Sequence, residues 1–289
     1  MPKVLVTSAA LLVLAAAGAS ALFAQWPDYP TPGPRKDGKI DLAAPPPRTA
    51  DGKPDFSGLW EPARGPGGRG GPSMNGTPPL PFAIPTSPGD PPVAQFFNIG
   101  AGFKPEGLPP LTPWGARIRA ERKANNNKDN PDALCEPLGL TQLHMHPQPR
   151  KIVQTPREIV ILYEANGNTR QILMDGRGLP NNNPTPWWYG YSVGHWDGDT
   201  LVVETTGFRD DVWLDVEGSP LTSTGKMTER WRRLKFGLMQ IDITIEDPKA
   251  YTKPFTVRVN HQLMPDTALM EFVCEERDAV HYLGKDVKK

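Results

Sequence analysis

The chain has 289 residues, 38% of them hydrophobic, enough to bury a sizeable core in one large domain or two small ones. Its 32 basic residues balance 32 acidic ones, which removes the electrostatic basis for a nucleic-acid partner or an anionic membrane surface. Proline is the compositional outlier: 22 of the 35 prolines fall between Trp26 and Pro113, dividing a Pro-rich front from a strand-rich back.

Met1-Pro2-Lys3 opens an apolar run from Val4 to Phe23 that ends in small residues around Ala19–Ala21 and Leu22–Ala24. This is the pattern of a secretory signal peptide over residues 1–24, with a retained membrane anchor as the alternative, because the run is about long enough to span a bilayer. The mature chain is expected to begin near Gln25, to lie in the periplasm or outside the cell, and to have no membrane span after cleavage. In that oxidising setting Cys135 and Cys274 read as a disulfide rather than as a metal or redox pair.

Residues 25–50 lack hydrophobic periodicity and read as an extended linker, and 51–289 as a single domain with a Pro-rich arm (51–150) wrapped over a strand core (151–276). Phe56, Leu59 and Trp60 mark a first short strand. Gly65 to Gly71 matches the spacing of a dinucleotide-binding loop, but prolines stand where that chemistry needs a strand and a helix N-terminus, so a plain loop is expected. Thr112-Pro113 opens the one convincing helix, an N-cap followed by a proline in the first turn, which runs to about Ala124. His144 and His146 share one side of an extended segment without an acidic or thiol ligand nearby, so no metal site and no cofactor are predicted.

Beyond Lys151 runs of four to nine residues alternate with short turns, at 151–154, 158–164, 169–175, 190–196, 200–206, 226–234, 239–246, 255–263 and 269–275. Asp197-Gly198 is the strongest hairpin signal. Nine strands without intervening helices predict an all-β, antiparallel up-and-down meander closing into a lipocalin-like barrel, which removes exposed edges.

Period-two alternation then selects polar groups that share an apolar face: Arg170, His195, Glu204, Glu229 and His261. Converging on one interior, they suit a small hydrophobic or aromatic molecule with one or two oxygen functions, held by Tyr163, Trp187, Trp188, Tyr189, Tyr191 and Trp231. An enzyme on the same barrel, an isomerase, cyclase or hydrolase, would use His195 or His261 as base and Arg170 against developing negative charge. Structural ion pairing of Arg170 with Glu229 is the plain alternative, and an envelope interaction module using the Pro-rich arm is a further one. Asp175, Arg177 and Asp215 are turn candidates of lower rank. Gly190-Tyr-Ser192-Val-Gly194 matches a nucleophile elbow, with His261 or His281 as its histidine, but a hairpin follows where that motif needs a helix.

The phrases Lys151-Ile-Val-Gln-Thr155, Val160-Ile-Leu-Tyr-Glu164, Asp175-Gly-Arg177, Gly190-Tyr-Ser-Val-Gly-His-Trp196, Gly198-Asp-Thr-Leu-Val-Val-Glu-Thr205 and Asp247-Pro-Lys-Ala-Tyr-Thr252 resemble those of a large family of exported, functionally uncharacterised proteins of environmental Gram-negative bacteria. The resemblance spans roughly Asp51 to Glu276. It implies an exported single domain and assigns no catalytic residue. The likeness to lipocalin or calycin barrels is one of architecture, which carries no function.

Overall fold

The computed structural model of the protein describes residues 29–66, 76–180 and 185–274. The apolar N-terminal run, most of the glycine-rich loop and His281 lie outside these residues. Nine strands form a closed barrel: β1 (Gly58–Pro62), β2 (Arg150–Gln154), β3 (Glu158–Tyr163), β4 (Thr169–Leu173), β5 (Tyr191–Asp197), β6 (Thr200–Thr206), β7 (Lys226–Lys235), β8 (Leu238–Glu246) and β9 (Phe255–Leu263). Each pairs with its neighbours in chain order, and β9 returns to β1 through His261↔Pro62 and Leu263↔Trp60.

Two features depart from the predicted meander. A closed ring with an odd number of strands cannot have only antiparallel neighbours, and the parallel pair is β4 with β5, joined at Ile172↔Ser192 and Leu173↔Val193. The ninth strand is β1 rather than the predicted 269–275, because β1 occupies the edge of β9 and leaves Met270 and Val273 exposed.

Alternation places one face of each strand inside. Trp60, Ile152, Ile161, Ile172, Leu201, Val203, Trp231, Ile241, Ile243 and Val257 are fully buried there. Phe56 closes part of this core, stacked on Trp196 with centroids 6.0 Å apart and edge-on to Trp231 at 5.9 Å.

Helix α1 (Pro113–Ala124) forms where predicted: Thr112 accepts a hydrogen bond from the Gly115 N–H and Pro113 fills the first turn. A second helix, α2 (Leu140–Met145), was not predicted. It is too short for a periodicity signal, and all six of its residues are buried as it plugs one end of the barrel. Gly139 lets it enter, since a Cβ there would lie 2.1 Å from the Trp213 carbonyl oxygen.

Within the segment read as a linker, the described residues 29–50 lie on the barrel. Gly33 packs against the Phe236 ring, Gly237 against Leu42, and Arg35 pairs with Asp266 at 2.8 Å. Cys135 and Cys274 form a disulfide with a Cα–Cα distance of 5.4 Å, and it joins the segment before α2 to the chain after β9. Among the described residues no helix is long and apolar enough to cross a membrane.

Candidate functional site

The barrel interior holds a connected polar network at the end closed by α2. Arg170 on β4 and Glu229 on β7 form a two-pronged ion pair, with Arg170 also donating to Ser192 Oγ at 3.1 Å and to Thr205 Oγ1 at 3.1 Å. His144 on α2 places Nε2 2.7 Å from Glu229 Oε1. Burial opposes charge on Glu229, but Arg170 and then His144 hold its carboxyl down at about 2. Burial, and then the nearby arginines, push His144 below its ordinary value despite Glu229. The imidazole is therefore a neutral N–H donor to a carboxylate whose charge is matched by Arg170.

A second knot adjoins the first. Arg150 donates to the carbonyls of His144 (2.6 Å), His146 (2.7 Å) and Gln148 (3.1 Å), and its Nη1 lies 2.9 Å from His261 Nε2. Its charge faces carbonyls at the C-terminal end of α2, the negative end of the helix. Burial lowers Arg150 to about 10 and drives His261 well below its usual value, with Arg150 adding to the effect on His261. His146 points elsewhere, 3.5 Å from Asp132, and among the described residues no group of three His, Cys, Asp or Glu is placed to hold a metal.

The sequence-predicted residues divide. Arg170, Glu229 and His261 face inward, as their strand parity implied, with at most 2% exposure. Tyr163 and Trp231 are buried core, Tyr163 pushed up to about 12 by burial. The expectation for His195 and Glu204 is corrected: His195 is exposed, and Glu204 lies outside in a 2.7 Å pair with Lys226. On β5 the inward positions are Ser192, Gly194 and Trp196, although Tyr191 and Val193 look more like core. The bulk is supplied from β4 and the loop after it: Arg170 hydrogen-bonds Ser192, and a Cβ on Gly194 would lie 2.4 Å from Met174 Sδ.

Trp187, Trp188 and Tyr189 do not cover an interior cavity. Trp187 is 54% exposed, and its backbone is bridged to that of Phe208, whose own side chain is buried in the core. Asp215 is a structural knot, accepting from Ile99 N (2.8 Å), Ser219 N (2.9 Å) and Ser219 Oγ (2.8 Å). The residues expected to act as bases thus do not meet in a space open to a substrate. Sequence reasoning missed Arg150, Thr205 and the inward role of Ser192; the signal for Ser192 was its pairing, opposite Thr205 and beside Ile172.

A prominent cavity lies outside the barrel wall. It is a groove of about 720 Å³ between the arm and the barrel, lined by Tyr29, Pro32, Pro45 and Pro47 from the arm and by Leu59, Phe236, Leu263 and Met264 from the barrel side, with Lys151, Asp55 and Arg233 among its polar residues. Arg233 is 6% exposed, is spanned by carbonyls of Phe236, Asp55 and Ser57, and forms no ion pair among the described residues. Burial lowers it to about 10. Asp55, which accepts from the Ser57 N–H at 2.8 Å, keeps its negative charge and favours the protonated Arg233, so the groove carries Arg233 and Lys151 against one carboxylate.

No protein-family model, curated protein or solved structure matches this chain.

Proposed function

We propose that this protein is an exported binding protein for a small, largely apolar molecule bearing an anionic group, held in the groove beneath the N-terminal arm. One observation carries the reading: a groove of about 720 Å³ with proline and aliphatic walls has a buried guanidinium, Arg233, without a carboxylate partner, and Lys151 at its edge. The volume suits a drug-sized ligand, and a carboxylate or sulfonate would match the one positive charge that Arg233 and Lys151 hold in excess of Asp55. The interior is the weaker location, because Trp60, Trp231, Arg150 and Arg170 fill it. The apolar N-terminal run, the disulfide and the balanced net charge support an extracytoplasmic small-molecule role.

The test is titration of the purified protein with a fluorescent long-chain carboxylic acid and with its methyl ester. Saturable one-to-one binding of the acid, several-fold weaker binding of the ester and a loss in Lys151→Glu are expected. Equal binding of acid and ester would remove the charge argument, and no saturable binding of either would remove the groove as a ligand site.

A further inference from the structure

The indoles of Trp187 and Trp188 and nearby Tyr191 have no part in the groove or in the interior network, whereas Tyr189 between them packs against the core. Tryptophan is highly buried on average, because burying a large apolar ring is favourable in proportion to the area removed from water. Trp187 is nevertheless 54% exposed, and its position is not a loose loop tip. Its N–H donates to the Gly207 carbonyl at 2.9 Å, and its own carbonyl accepts from the N–H of Arg209 at 3.2 Å. Gly190, with φ of +62°, turns the chain from there into β5, and a Cβ at that position would lie 2.6 Å from the Thr206 carbonyl oxygen. The exposed ring is therefore displayed on backbone tied to the barrel.

Two self-neutral ion pairs adjoin these rings. Arg209 lies over the Trp188 ring at 4.2 Å and is bound two-pronged by Asp211 at 2.9 and 2.8 Å. Arg177 is held by Asp175 and donates to Tyr191 Oη at 3.4 Å, while Tyr191 and Trp187 have ring centroids 6.2 Å apart. Both arginines are half exposed and Asp211 is 54% exposed, so guanidinium donors of both pairs and carboxylate oxygens of Asp211 remain open to solvent.

We propose that this surface binds carbohydrate, with pyranose rings seated on Trp187 and their hydroxyls hydrogen-bonded to the Arg–Asp pairs. A sugar presents an apolar C–H face, whose positive edge suits the negative face of an indole, together with hydroxyls that both donate and accept. Charge selects among ligands. An anion would want an unpaired arginine and an organic cation an unpaired carboxylate, whereas here each guanidinium is matched by the carboxylate two residues away. A neutral polyhydroxylated ligand fits that balance. Prior fixing of the backbone that carries the indole lowers the ordering cost of binding.

The test is affinity electrophoresis of the full chain through native gels containing hydroxyethyl cellulose, laminarin, glycol chitin or soluble galactomannan, each with a gel lacking polysaccharide as reference. At least one glycan is expected to retard the protein, with retardation unchanged between low and high salt. Trp187→Ala should weaken the interaction roughly ten-fold or more, as loss of a central aromatic anchor does. Phe97→Ala, which removes another exposed ring, should leave it unchanged, and matching thermal melting curves would show that both variants are folded. Retardation by none of the four glycans, persistence of full retardation in Trp187→Ala, or loss with salt in the manner of ionic adhesion would each overturn the proposal. Groove binding of the fluorescent acid is read separately, so failure of one site leaves the other standing.

Discussion

At the scale of single residues, the interior network sets clear expectations. Glu229→Ala would leave Arg170 buried without its partner, and breaking one side of a buried pair costs about 3–5 kcal/mol. Urea unfolding of the variant should show a loss of that size, and a change within about 0.5 kcal/mol would mean that the pair is not formed. The two interior histidines make stability depend on pH. Both are depressed in the folded state, so the unfolded chain binds the extra protons: their contribution is full above about pH 6.5 and is lost as pH falls below it. Glu229 acts lower, its contribution present above its unfolded value of 4.5 and lost toward about pH 2. Chemical denaturation midpoints between pH 8 and pH 4 should therefore fall on acidification, with a first decline setting in below pH 6.5; His261→Gln should reduce that decline, and an unchanged profile in this variant would exclude His261 as a contributor. These residues were unevenly legible. Arg170, Glu229 and His261 sit on strands whose alternation declares a face, whereas His195 was assigned inward because Tyr191 and Val193 beside it look like core. The face actually used depends on what the neighbouring strand supplies, and the bulk of Arg170 and Met174 demands Ser192 and Gly194 opposite.

At the scale of elements, local chemistry and tertiary packing divide the structure. The α1 helix is signalled by its cap, and Thr112→Ala should cost about 1 kcal/mol by removing the bond to the Gly115 N–H, measurable as a small decrease in melting temperature. Helix α2 has no such signature. Its six residues are helical within a buried plug, where tertiary contacts such as Thr141 Oγ1 to the Leu214 carbonyl at 2.7 Å replace intrinsic propensity. Gly139→Ala should therefore be more damaging than its size suggests, by at least about 1–3 kcal/mol, because the added carbon meets backbone rather than a side chain that can move. Retention of wild-type stability in that variant would show that α2 does not sit against the Trp213 segment. Strand positions were readable because turns and alternation are local. The parallel pairing of β4 with β5 was not, since it follows from closing an odd-numbered ring.

For the whole molecule, the disulfide closes a loop with a sequence separation of 139, and in the chain-entropy model such a cross-link contributes about 4–5 kcal/mol. Reduction, or Cys135→Ser with Cys274→Ser, should lower the unfolding free energy by up to that amount and raise m, because the released unfolded chain exposes more surface; a loss of less than about 1 kcal/mol would show that the loop is already constrained by the arm. The sequence alone determined what depends on neighbours in the chain: nine short strands' worth of alternation, the capped helix, the Pro-rich front, the balanced charge, and two cysteines suited to pairing. The tertiary structure decided which segment closes the ring, which face of β5 looks inward, and that the interior is filled by Arg150, Arg170, Trp60 and Trp231 instead of being left open to a ligand. Those outcomes depend on volume and charge brought together from strands far apart in the chain, and alternation within one strand contains no information about what stands across the barrel.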